Sequence, residues 1–408
     1  MITKSDGNII NKNYRWFILT IGVIAQAIFS LAYAGIPITG ILMRGDYHLT
    51  IYHLGLVLGC MGLGVAISEL IWGLLTDKYG DRKVLLFGLS SMGLVFALMA
   101  ILLVPNESYM PSYFQLGIAF TLAGALGGSI NSSSGRAVMT WFSDNERGFA
   151  MSIRQTAIPM GGAFGAVILP WLAKNYNFSY VFGSVALSCF LCVFIVWFWL
   201  YEKNNIVINE IQKETKSPLL VKDVWRITFA SALLAMPQMA ILTFAAIFLH
   251  DYKNLSLSTI SLILLLIQIG GAILRVCAGK YTDKFKNRRN VIKSIALFSG
   301  VCTIAIGLLT DNYNIIIIIF IIASGLLSNA WHGVAYTEIA VVAGSERAGT
   351  ALGMIGTSVF ISGFITPLVL PIFITNYSWG ISWCIIGIAT LISIPLIPAS
   401  IGKNPKQA

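Results

Sequence analysis

Charge is scarce in this chain. Only 11% of its 408 residues are Asp, Glu, Lys or Arg, whereas 57% are apolar, above the roughly 45–50% of water-soluble domains. That balance excludes an ordinary soluble globule. Histidine is scarcer still, with four residues, and His48 and His53 beside apolar runs have no acidic cluster around them. Neither a metal centre nor an intramembrane enzyme site is therefore expected. Of the six cysteines, Cys60, Cys189, Cys192, Cys277 and Cys302 lie within apolar runs and Cys384 near the start of the last. Nothing polar surrounds the Cys189-x-x-Cys192 spacing, so these residues read as small hydrophobes. The glycine runs GCMGLG (59–64), GALGGS (124–129) and GGAFG (161–165) have no strand before them and no Gly-Lys-Ser/Thr after them. A nucleotide-binding loop is excluded, and close helix packing is the better account. No small-residue cleavage site precedes a soluble domain, so no cleavable signal peptide is expected and the first apolar run should act as its own insertion signal.

What the chain has is oily length. A bilayer-spanning helix needs about 20 mostly apolar residues. Twelve runs meet that need, at 15–43, 52–75, 84–104, 113–142, 147–173, 179–200, 225–249, 257–280, 291–310, 313–342, 347–375 and 379–400. The expectation is an all-α membrane protein. A formal charge of +10 could suggest a nucleic-acid partner, but with a cytoplasmic N-terminus 21 of the 27 Lys and Arg residues fall on the cytoplasmic side. Only Arg44, Lys174 and Lys253 fall opposite. This is the positive-inside bias for a protein with both termini in the cytoplasm. Basicity orients the chain, and no nucleic-acid partner is expected.

The one long polar connection, 201–224, divides the chain into two six-helix halves, 1–200 and 225–408. These halves echo each other. GLLTDKYGDRKV (73–84) returns 206 residues later as GKYTDKFKNRRN (279–290), and SDNERGFAM (143–151) faces AGSERAGTAL (343–352) at an offset of 200. Such a parallel duplication describes a transporter architecture with a substrate site between its halves near mid-membrane.

Gly73-x-x-x-Asp77-x-x-Gly80-x-Arg82-Lys83 resembles the signature loop between helices 2 and 3 of the major facilitator superfamily, and the copy at 279–289 lies where that family keeps its second one. RQTAIPMGG (154–162) and WHGVAYTEIA (331–340) are similar to stretches of prokaryotic organic-anion and cyanate-like carriers. The resemblance implies twelve helices in two parallel halves around a central cavity lined by helices 1, 4, 7 and 10. It further implies that Asp77 docks on the start of the helix near Glu346 and that Arg82 or Lys83 reaches Asp144. Asp283 and Arg288 hold the corresponding places in the copy. Two departures stand out: Asp81 replaces the usual basic residue after the loop glycine, and Lys286 replaces Gly80, so the second latch is expected to be weaker.

Five ionisable residues lie inside apolar runs, where a charge costs about 2.5–3.5 kcal/mol unless paired or wet. Glu69, Arg136 and Glu338 each lie eight residues before an acidic loop residue, about 12 Å along a helix. Glu69 and Arg275 correspond at 206, Arg136 and Glu338 at 202. The spacing predicts two pairs of exchanged sign, Glu69 with Arg136 and Arg275 with Glu338, serving either proton coupling or a structural clamp. Arg154 has Ile355 as its counterpart, and its forked donors suit an anionic substrate. Its alternatives are to cap carbonyls or to join a network around Glu69.

On the helices that the resemblance places around the cavity lie Gln26, Tyr33, Asn131, Gln238, Trp331, His332 and Tyr336, a mixture of amides and rings usual in pockets. His332 titrates near neutrality in its ordinary state and is a second candidate for proton linkage. The reading is a secondary active transporter of a small organic solute, an organic anion, taken up with protons by alternating access. The alternative is a proton-coupled exporter of drugs or metabolites. No cofactor is expected beyond a proton gradient. The protein is expected to be a monomer in the lipid bilayer of a bacterial inner (plasma) membrane.

Overall fold

The computed structural model describes residues 2–3, 9–10, 13–201, 217–311 and 314–399. Of the expected linker, 202–216 lie outside the described residues, as do Lys4, Lys12, Lys403 and Lys406. Apart from a two-residue antiparallel pair, Ile2–Thr3 with Ile9–Ile10, the described chain is helical. Among the described residues, twelve helices are long and apolar enough to cross a membrane. They are α1 Tyr14–Asp46, α2 Ile51–Tyr79, α3 Asp81–Leu102, α4 Tyr113–Trp141, α5 Arg147–Asn175, α6 Phe178–Trp199, α7 Lys222–Tyr252, α8 Leu257–Phe285, α9 Arg288–Leu308, α10 Asn314–Ala343, α11 Ala348–Asn376 and α12 Trp379–Leu396.

Local chemistry sets these bounds. Thr50, Ser112, Asn177, Ser256 and Ser378 cap the starts of α2, α4, α6, α8 and α12 by accepting a backbone N–H, and Ser112 forms a reciprocal capping box with Gln115. Pro37 cannot donate to the helical ladder, and around it α1 passes through a π turn, Leu31–Gly35, and a tight turn, Ile36–Thr39. On α2 the outward residues Ile67, Ile71 and Leu74 are exposed, while Val65, Glu69 and Thr76 are buried. A 3.6-residue period thus gives lipid one face and the protein interior the other.

The chain forms two compact units. One comprises Met1–Ser143, Ile153–Pro218 and Ala343–Phe364; the other comprises Asp144–Ser152, Leu219–Val342 and Ile365–Ala408. In the first, α2 and α4 approach so closely that a methyl on Gly124 would overlap the Met61 carbonyl, and Trp72 donates its indole N–H to the Ala125 carbonyl. In the second, the Gly300 and Gly307 side of α9 meets Gly387 and Gly380 of α12. An apolar core of Phe248, Ile260, Ile267, Ile321 and Trp383 fills the same unit. Small residues at crossings are how helices gain contact where lipid removes the hydrophobic drive.

Candidate functional site

Four helices of the first unit bring together Gln26 (α1), Glu69 (α2), Asn131 and Ser134 (α4) and Arg154 (α5). All five are buried. The Arg154 guanidinium donates to Gln26 Oε1 and Ser134 Oγ, both at 2.9 Å, and to Asn131 Oδ1 at 3.2 Å. The Asn131 amide in turn donates to Glu69 Oε1. An amide is both donor and acceptor, so Asn131 can join a cation to a carboxylate. Of the readings for Arg154, the network around Glu69 is formed. Tyr33 lies apart from these hydrogen bonds, stacked on Phe29 and edge-on to Phe360.

In the second unit another asparagine takes the central place. Asn329 Oδ1 accepts from Gln238 at 2.9 Å and from Arg275 at 3.1 Å, and its backbone carbonyl accepts from Arg275 Nε at 2.9 Å. Gly271 admits it, because a methyl there would meet the Asn329 side chain. Within the next turn of α10, Trp331 and His332 stack with centroids 3.9 Å apart, and Tyr336, about two turns beyond Asn329, lies 6.4 Å from the imidazole. All three rings are buried.

The two charged loops make matching contacts. Asp77 accepts the backbone N–H groups of Gly349 at 2.8 Å and Thr350 at 2.7 Å, together with the Thr350 hydroxyl. It thus caps the start of α11 within the first unit. Asp283, in the second unit, accepts the N–H groups of Gly148 at 2.9 Å and Phe149 at 2.7 Å, at the start of α5. A carboxylate at a helix N-terminus meets unsatisfied donors and a favourable dipole, worth about 0.3–1 kcal/mol and up to about 2 when partly buried. Where the copy lacks Gly80, Lys286 adopts the left-handed conformation itself, with φ 52°, and Asp283 keeps its two backbone contacts.

Both expected ion pairs are corrected. Arg136 pairs with Asp77 at 3.2 Å and with Asp81, and Glu338 pairs with Arg289 at 2.5 Å; Glu69 and Arg275 instead meet asparagines. Depth had been counted from acidic loop residues, yet α4 ends at Trp141 and α10 at Ala343. Arg136 and Glu338 therefore lie five residues from their helix ends, whereas Glu69 and Arg275 lie ten from theirs. The sign exchange persists with the loop as partner. Asp81, one of the departures from the family pattern, is what Arg136 requires.

The cations on Asp144 are also reassigned. Arg288 donates to its carboxylate at 3.2 Å and Lys286 lies 3.6 Å away, in the place expected of Arg82 or Lys83. Arg288 also approaches Asp283 at 3.5 Å. Burial pushes the Asp144 carboxyl up, but the charges of Arg288 and Lys286 outweigh it and hold the group below its ordinary range. Arg82 donates to the Trp197 carbonyl at 2.6 Å and lies over its ring, and Lys83 edges an apolar cleft of about 390 Å³ with Trp72, Tyr79 and Phe87.

Sequence reasoning missed Arg289, Ser134 and Thr350. Arg289 also reaches Asp223 at 3.3 Å in a cleft of about 630 Å³. Its position beside Arg288 in the repeated loop was the available signal. Among the described residues no group of His, Cys, Asp and Glu could hold a metal ion.

A family model described as Major Facilitator Superfamily matches residues 22–367 and again 227–408. An uncharacterized MFS-type transporter of Mycobacterium tuberculosis is 28% identical over 389 residues, 94% of this chain and 85% of that one. A probable sulfoacetate transporter of Cupriavidus necator is 23% identical over 416 residues, 91% of each chain. The solved structure of a proton:xylose symporter shares the fold with a TM-score of 0.77 at 14% identity, over 95% of this chain and 97% of that one.

Proposed function

The chain belongs to the Major Facilitator Superfamily, and on that premise we propose that it takes up a small organic anion together with protons by alternating access. It is a multi-pass membrane transporter and not an enzyme. The observation that carries the anion reading is the buried Arg154, its guanidinium oriented by Gln26, Asn131 and Ser134. Oriented forks of donors suit carboxylates and related anions. The relative named for sulfoacetate, an organic anion, supports the same substrate class. Arg275 on Asn329, with the rings of Trp331, His332 and Tyr336 along the same helix, is a second buried cationic group, in the other unit.

Asp77 and Asp283 act as latches that must open during each cycle, which suits contacts worth only a few kcal/mol. The halves 1–200 and 225–408 work as one monomer in a bacterial plasma membrane, with both termini cytoplasmic as the Lys and Arg distribution favours. Uptake by proteoliposomes of a panel of labelled organic anions and neutral metabolites, with and without an inward proton gradient, tests the reading. Anion uptake should rise with the gradient. Arg154→Gln should raise KM at least tenfold, the loss of a charge-assisted bond of about 1.5–3 kcal/mol, while Arg154→Lys should be milder. Uptake confined to neutral solutes, or outward drug movement alone, would overturn it.

A further inference from the structure

The two oxygens of Glu69 have different surroundings. Oε1 accepts from Asn131, whereas Oε2 is buried and has no hydrogen-bond partner among the described residues. The residue is fully buried. What shuts it in is the first half of α11. A methyl added at Gly349 would meet the Gly73 carbonyl and Asp77, and one at Gly353 the Glu69 carbonyl and Leu70. At Gly356 it would overlap the Glu69 carboxylate itself, so nothing larger than glycine fits over that group. Gly349 to Gly356 spans about 10 Å of helix and Glu69 to Asp77 about 12 Å. Latch and carboxylate thus occupy opposite ends of one seam between α2 and α11.

The other titratable or charged groups near Glu69 are Tyr33 from α1 and Arg154 from α5, the latter joined to it through Asn131.

We infer that Glu69 is a proton-exchange site gated by the α2–α11 seam, and that its carboxyl gains or loses a proton only when the start of α11 lifts from α2. Lifting breaks the three hydrogen bonds to Asp77 and uncovers Oε2 in one movement. Water entering the opened seam delivers the proton to Oε2 as hydronium or removes it on the return, and no other bond changes. Proton exchange and latch opening then become a single event. The inference gives the proton coupling proposed above a residue and a gate, and so rests on that reading, but the labelling that tests the gate needs no substrate.

The full-length protein in proteoliposomes is treated with dicyclohexylcarbodiimide, which adds to protonated carboxyls in apolar surroundings, and the adduct on the Glu69 peptide is quantified by mass spectrometry. Glu69→Gln serves as the blank. The wild type should label slowly, and Asp77→Asn and Thr350→Ala should label faster, the former by roughly tenfold or more from loss of charge-assisted bonds. Gly356→Ala should also label faster; if it fails to fold, the other two variants decide. Equal rates in wild type and a correctly folded Asp77→Asn would overturn the inference. Faster labelling in a protein whose uptake ignores the proton gradient would retain the gate and reject coupled uptake instead.

Discussion

The two charged loops reach one geometry from unequal sequences. In the first, Gly80 turns the chain at φ 92° and ψ 162°, and Asp77 is backed by Arg136. In the second, Lys286 turns it at φ 52° and ψ 33°, and Asp283 is backed by Arg288. Neither the glycine nor the source of the supporting cation is common to both. What they share is a carboxylate set against the first N–H groups of a helix. The glycine therefore serves the local turn, and the aspartate serves the contact. Beside each loop the supporting ion pair is inverted, Arg136 with Asp81 in one and Glu338 with Arg289 in the other. The pair thus occurs with either polarity, whereas both residues at the helix starts are acids, as a helix N-terminus favours.

If the inverted pairs do equivalent work, breaking either should cost most and cost alike. Arg136→Met removes the cation from Asp77 and Asp81, and Arg289→Met removes it from Glu338 and Asp223. Removing one partner of a fully buried pair costs about 3–5 kcal/mol, an upper bound here because Arg136 and Asp223 are partly exposed. Thermal unfolding in detergent should show both variants destabilised to a similar degree, with Asp81→Asn restoring part of the loss in the Arg136→Met background. Loss in one variant alone would break the equivalence.

A smaller effect tests the turns. Gly80 occupies a backbone region open essentially to glycine, so Gly80→Lys should destabilise by about 1–3 kcal/mol although lysine is native at the matching place. Lys286→Gly relieves left-handed strain but loses the exposed contact to Asp144, and should stay within about 1 kcal/mol of wild type. Equal tolerance at both positions in a thermal-shift assay would show that the turns are interchangeable.

The smallest effect concerns Asp144. Its carboxyl is held below the ordinary value of 3.8, so its stabilising part is complete above that value and is lost as pH falls through the lower native one. Asp144→Asn should flatten this acid limb of the stability curve; an unchanged limb would remove the residue from the account.

Much of the fold was legible because lipid imposes a simple rule. Twelve apolar runs had to become helices, and the echo of 73–84 at 279–290 revealed the duplication. The placement of Asp77 at the start of the helix after Glu346 followed from resemblance. The buried partners were not legible, for two physical reasons. Helix ends, not acidic loop residues, set depth, and α4 stops three residues before Asp144. The Arg154 network also draws on four helices far apart in sequence, joined through Asn131, whose amide gives no sign in sequence of serving both Glu69 and Arg154. Nor could spacing show that Gly356 closes over Glu69, since a helical glycine in a membrane span has many uses.

As the latches proposed above, Asp77 and Asp283 should work as a matched pair despite their unequal loops. Uptake and equilibrium binding of the anion selected by the proteoliposome panel, measured for Asp77→Asn and Asp283→Asn, test it most directly. Both variants should lose most transport while retaining binding. Wild-type transport by Asp283→Asn beside a failing Asp77→Asn would contradict the claim.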